Sequence, residues 1–137
     1  MVKISESADR TVLIADNQPG FRRVIAETLG AGRYKIIEAQ DGEEVIRQAR
    51  SQRPDLILVN TAVQNPDVCG VVHVLRAHEQ TASIPIILLT DNHGDDLTEC
   101  SADQAVSAVD RCIAKPFSPV ELVETVERLL PAASTRA

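Results

Sequence analysis

The chain has 137 residues, enough for one domain with a buried core that needs neither disulfides nor a structural metal. Its only aromatic side chains are Phe21, Tyr34 and Phe117, so the core must be built from Val, Ile, Leu and Ala. A net charge of −6 opposes a nucleic-acid or anionic-membrane surface, and no apolar run approaches the roughly 20 residues of a membrane span.

Residues 1–9 are polar and read as a disordered tail, without the apolar stretch of a signal peptide. Thr11 to Ala15 is a short buried strand, stopped by Asp16-Asn17-Gln18. Pro19 suits the first turn of a helix, whose apolar positions are Phe21, Val24, Ile25, Ala26 and Leu29 and which Gly30 and Gly32 end. Tyr34 to Ala39 reads as the second strand. Asp41-Gly42 turns the chain into a short helix with Val45, Ile46 and Ala49 on one face. Leu56 to Val59, closed by Asn60, has the continuous apolar character of a parallel strand buried on both faces.

A loop from Thr61 to Asp67 leads to a helix carrying Val71, Val72, Val74 and Leu75. Ile84 to Leu89 is the fourth strand, with Pro85 tolerated near its start. Residues 94–107 predict a weakly amphipathic helix, and Arg111 to Ala114 a fifth strand. Ser118 caps a last helix whose apolar stripe is Val120, Leu122, Val123, Val126, Leu129 and Leu130. Residues 132–137 read as a tail or a truncated linker, leaving 10–131 as the domain. Five strand-then-helix units with long crossovers predict a parallel sheet covered on both faces.

The cysteines, Cys69, Cys100 and Cys112, are odd in number and lack paired spacing, which predicts reduced, mostly buried thiols in a cytoplasmic protein. Cys69 and His73 share a helical face, but with only His78 and His93 as further candidates an ordinary helix is the better reading than a zinc site.

Polar residues gather at the strand ends: Asp16-Asn17, Asn60, Thr90-Asp91 and Lys115-Pro116-Phe117. In an open α/β sheet these carboxyl ends are where ligands and chemistry sit. With the Asp41-Gly42 turn, the Arg-Pro-Asp-Leu run of residues 53–56 and Ile84-Pro85, they resemble a response-regulator receiver domain of the CheY-like family, over residues 10–130. The resemblance implies a flavodoxin-like (βα)5 fold, a doubly wound parallel sheet in strand order 2-1-3-4-5. It also implies a role in two-component phosphorelay signalling, with a histidine kinase or an output domain as partner.

Carried over residue by residue, the family's Mg²⁺-holding acidic pair falls on Asp16 and Asn17. The phosphoaccepting aspartate falls on Asn60, the switch hydroxyl on Thr90 and the lysine on Lys115, with a cis bond expected before Pro116. Four departures stand beside these matches: Gln64 replaces a loop proline, Val68 a glycine, Asp91 a small residue, and Cys112 the aromatic rotamer switch. A carboxamide is uncharged and its nitrogen lone pair is delocalised, so Asn60 can neither attack phosphorus nor hold a cation well. One carboxylate, Asp16, is left where a typical receiver has three, so Mg²⁺ binding is expected to be weak or lost and no cofactor is expected. Losing those charges also relieves repulsion in the pocket, and Lys115 can pair with Asp16 or donate to the Asn60 carbonyl.

These residues predict a pseudo-receiver that is no enzyme and binds proteins independently of phosphorylation. The family's common docking face corresponds to residues 94–130, through which a homodimer is also conceivable; direct contact with nucleic acid or membrane is not expected. Three alternatives remain. Phosphorylation could use another acid, Asp67 or Asp91. Asp16 could be the nucleophile of a haloacid-dehalogenase-type phosphotransferase, although the second acid of that pattern is Gln18 here. A nucleotide- or flavin-binding module would need a phosphate loop after the first strand that this chain lacks.

Overall fold

The computed structural model of the chain describes residues 10–16, 18–29, 34–90, 109–114 and 118–130. Its strands are β1 (Thr11–Ala15), β2 (Lys35–Ala39), β3 (Leu56–Asn60), β4 (Ile86–Thr90) and β5 (Arg111–Ala114). The described helices are α1 (Pro19–Leu29), α2 (Gly42–Gln52), α3 (Val68–Ala77) and α4 (Pro119–Leu129). All strands pair in parallel in the order β2-β1-β3-β4-β5, the order expected from the sequence. The helix predicted over 94–107 and the bond before Pro116 lie outside the described residues.

The sheet divides the core by alternation, because successive strand side chains point to opposite faces. Leu13, Ile57, Val59, Ile86 and Leu88 pack with Val45 and Ala49 of α2 and Val71 and Leu75 of α3. Val12, Ile14, Leu56, Leu58, Ile87 and Leu89 pack with Ile25 and Leu29 of α1 and Leu122 and Val126 of α4. β3 and β4 are buried along their whole length, which is why they read as continuous apolar runs rather than alternating ones.

Side-chain caps fix where three helices begin. The Asp41 carboxylate accepts from Glu44 N–H at 2.9 Å, and Glu44 reaches back to accept from Gln40 N–H at 2.8 Å, a reciprocal arrangement close to a capping box. Asp41-Gly42 is therefore a helix start as well as a turn. Asp67 caps α3 through Gly70 N–H, and Ser118 caps α4 through Glu121 N–H with Pro119 in the first turn.

Several local expectations are corrected. Val24 and Val120, assigned to apolar stripes, are exposed. The buried stripe of α1 is Ile25 and Leu29 with Phe21 packed against it, and that of α4 is Leu122, Val126 and Leu130; both run at i, i+4, i+8 and leave residues 24 and 120 off the face. Cys112 is exposed rather than buried, since β5 is an edge strand and its alternate residue Ile113 takes the inward position. Cys69 is disulfide-bonded rather than reduced. Sequence spacing carries no record of which thiols the fold brings together.

Candidate functional site

The sheet order brings the ends of β1 and β3 side by side, and there the chain buries two polar side chains. Asp16 and Asn60 are 1% and 2% exposed, a depth at which an unpartnered carboxylate or amide would cost several kcal/mol. Neither is unpartnered. Asn60 Nδ2 donates to Asp16 Oδ2 at 2.7 Å, and Asp16 Oδ1 accepts from Gln18 N–H at 2.9 Å. Asn60 Oδ1 accepts from Ala62 N–H at 2.8 Å, and the Asn60 carbonyl accepts from Val63 N–H at 3.1 Å. The amide's orientation is dictated by its neighbours: a backbone N–H requires the oxygen on one side, and a carboxylate requires the nitrogen on the other.

Backbone pairing holds this arrangement in place. Asp16 N–H extends the β1–β2 ladder by donating to the Ala39 carbonyl at 3.1 Å, and Thr61 N–H donates to the Leu89 carbonyl at 3.0 Å. Asp55 pins the other end of β1, accepting from Thr11 N–H at 2.7 Å. Thr90 is buried, 6% exposed, at the end of β4, the strand paired directly with β3. Asp16, Asn60 and Thr90 thus share the carboxyl edge of three adjacent strands. Asn17 and Lys115 lie outside the described residues.

Arg22 belongs to this site, a placement that the sequence alone did not suggest. From the first turns of α1 its Nη1 donates to the Asp16 carbonyl at 2.7 Å and its Nε to Glu38 Oε1 at 2.8 Å. The guanidinium therefore ties α1, the end of β1 and the end of β2 together. Its legible signal was position: a cation one turn after the polar strand end, with an acid, Glu38, just before the end of the neighbouring strand.

Other candidate groups are placed less favourably for chemistry. Asp67 is exposed and uses a carboxylate oxygen to cap α3. Cys112 stands on the edge strand, and partial burial of its sulfur pushes the thiol's pKa up, which lowers its reactivity. Among the described residues no group of three or more His, Cys, Asp or Glu side chains is placed to hold a metal ion, and Cys69 with His73 gains no further ligand.

The described donors do not fit a Mg²⁺ site of the usual kind. That ion takes oxygen ligands from one or two carboxylates and waters. Asp16 is the one carboxylate in the pocket among the described residues, both its oxygens are engaged, and Asn60 presents N–H groups where a second oxygen would be needed.

Comparison with known proteins gives consistent results. Residues 12–127 match the response regulator receiver domain family. The chain is 35% identical over 119 residues to hybrid signal transduction histidine kinase D of Dictyostelium discoideum, covering 87% of this chain and 7% of that protein. It is 31% identical over 122 residues to the phosphate regulon transcriptional regulatory protein PhoB of Pseudomonas aeruginosa, covering 88% and 52%. This chain thus spans about half, or far less, of the length of these relatives. Among solved structures it superposes on the receiver domain of the sensor histidine kinase PA1611 of P. aeruginosa, which has a magnesium ion coordinated in its active-site cleft. That match has a TM-score of 0.77 and 28% identity, covering 89% of this chain and 98% of the other.

Proposed function

We propose that this chain, which belongs to the response regulator receiver domain family, acts as a pseudo-receiver that binds protein partners without itself being phosphorylated. The observation that carries this reading is the buried 2.7 Å hydrogen bond from Asn60 Nδ2 to Asp16 Oδ2. We place Asn60 at the family's acceptor position, with Asp16, Asn17, Thr90 and Lys115 around it as a degenerate phosphorylation pocket and Cys112 at the second switch position. An amide there offers no nucleophilic oxygen comparable to a carboxylate, and its N–H group occupies the Asp16 oxygen that a metal would otherwise use.

Among the described residues, the Asp16 and Asn60 side chains are satisfied as they stand. In a receiver with acids at both positions the empty site carries like-charge repulsion, which Mg²⁺ and a phosphoryl group relieve. Here the amide removes the repulsion and supplies the hydrogen bond in one step, so the free energy that couples phosphorylation to a change of state has no source. On this reading the domain is held in one conformation, is no enzyme, and signals by what it docks: a histidine kinase or an output domain. An aspartyl nucleophile at Asp16 gains no support, since Asp16 is buried against the Asn60 amide and the second acid of that pattern is Gln18.

The test is incubation with acetyl phosphate and Mg²⁺, read by intact-protein mass, on the wild type and on the double variant Asn17→Asp with Asn60→Asp. The expected result is no phosphoryl adduct on the wild type and a recovered, Mg²⁺-dependent adduct on the variant. A stoichiometric adduct on the wild type would overturn the reading.

A further inference from the structure

A second feature lies away from the Asp16–Asn60 pair. An open groove of about 1130 Å³ runs between the outer face of α2 and the loop joining β3 to α3. We propose that it is a docking site for an acidic peptide segment of a partner protein, with Arg47 and Arg50 taking carboxylates and Ile46 taking an apolar side chain between them.

The cations are available. Arg50 is exposed and makes no ion pair or hydrogen bond with any described residue. Arg47 has one contact, 3.9 Å from Glu44 Oε2, with the arginine side chain 66% exposed, an arrangement worth little in water. One helical turn separates the two guanidinium groups, so they lie on the same side of α2. Ile46, half-buried, gives the groove an apolar element beside them, and Gln80 of the α3–β4 connection adds an amide that can donate or accept. Glu43 stands at the opposite end. The charge of the groove thus changes sign along its length, so that it would reject a carboxylate at the Glu43 end while accepting one at the Arg50 end.

Its wall is pre-formed. Gly42 N–H donates to the Gln64 carbonyl at 2.7 Å, and a Cβ at Gly42 would overlap the Pro66 carbonyl oxygen. On the other side a Cβ at Gly70 would stand 2.8 Å from the Pro66 Cβ. Pro66 is therefore wedged between α2 and α3, so little of the ordering cost of binding falls on the protein. An elongated channel with an apolar element fits a peptide better than a small anion, which would meet the guanidinium groups alone.

This inference does not depend on whether residue 60 takes a phosphoryl group, and its test can fail separately. The full chain, labelled with ¹⁵N, is titrated with a capped peptide of alternating glutamate and leucine, with the same peptide carrying glutamine for glutamate, and with inorganic phosphate. The expected result is saturable amide shifts at residues 46–51, 65 and 80 with the glutamate peptide. Binding should be weaker by roughly tenfold or more for the glutamine peptide and for the variant Arg47→Glu with Arg50→Glu. No saturable shift, equal binding of the glutamine peptide, or binding indifferent to the charge reversal would overturn the proposal. So would equal affinity for phosphate alone, which makes it a small-anion site. Self-association abolished by the charge reversal would also overturn it, since the groove then seats a second copy.

Discussion

Replacing Asn60 by aspartate changes one atom in the buried pocket, and its cost can be worked from the geometry. The variant loses a charge-assisted hydrogen bond of 2.7 Å, worth about 1.5–3 kcal/mol net. It also puts a second carboxylate against Asp16, and two unit charges about 4 Å apart repel by about 4 kcal/mol at an effective dielectric constant of 20. The new carboxyl escapes most of that by keeping its proton to a pH above the ordinary carboxylate range. The sign follows from that difference. The folded variant binds a proton that the unfolded chain releases near pH 4, so the repulsive part of its deficit is absent in acid and grows as pH rises through the folded state's raised value. Chemical denaturation of wild type and variant at about pH 4.5 and pH 8 measures it, with an expected deficit at pH 8 of about 2–4 kcal/mol beyond that at pH 4.5. At pH 8 the variant, now with two facing carboxylates, should regain stability in about 10 mM Mg²⁺ while the wild type does not. A variant as stable as wild type at pH 8 and indifferent to Mg²⁺ would refute the reasoning.

Arg22→Ala should cost about 1–3 kcal/mol in urea denaturation, because it leaves the Asp16 carbonyl without a partly buried partner; Glu38→Gln, at the more exposed end of the same link, should cost under about 1 kcal/mol. Gly42→Ala should destabilise the fold by about 2 kcal/mol or more through collision with Pro66, whereas Gly20→Ala, with open space around its Cβ direction, should be neutral or stabilising by up to about 1 kcal/mol; thermal melts of the pair decide. Alkylation without reductant, mapped by peptide mass, should modify Cys112 and leave Cys69 unmodified. Because burial raises the Cys112 thiol's pKa, its rate should still be climbing with pH at values where an ordinary thiol has levelled off.

The fold was legible because its strands are either wholly buried, as in β3 and β4, or stopped abruptly by polar residues, as β1 is at Asp16. Their alternation with helical periods left a parallel sheet as the economical solution. The juxtaposition of Asp16 and Asn60 was legible too, since both close strands that the sheet order makes neighbours. What they do to each other was not. The Asn60 amide donates to Asp16, a pairing that the sequence left open, because side-chain reach and direction follow from register rather than from spacing. Arg22 was hidden for the same reason, its two partners being set by how α1 lies across the ends of β1 and β2. The exposure of Val24 and Val120 escaped a composition-based stripe because Val24 sits one position, and Val120 two, off the buried i, i+4 row. The groove beside α2 depends on Pro66 fitting between Gly42 and Gly70, a close approach that no local pattern encodes.

The most direct measurement is the side-chain NH₂ resonance of Asn60, followed by ¹H–¹⁵N spectroscopy with and without Mg²⁺ and a phosphoryl mimic such as beryllofluoride. A donor held against a buried carboxylate should give a downfield, exchange-protected pair of signals that neither addition moves. Rapid exchange of those protons, or a saturable displacement of the pair by Mg²⁺, would contradict a pocket closed by its own amide.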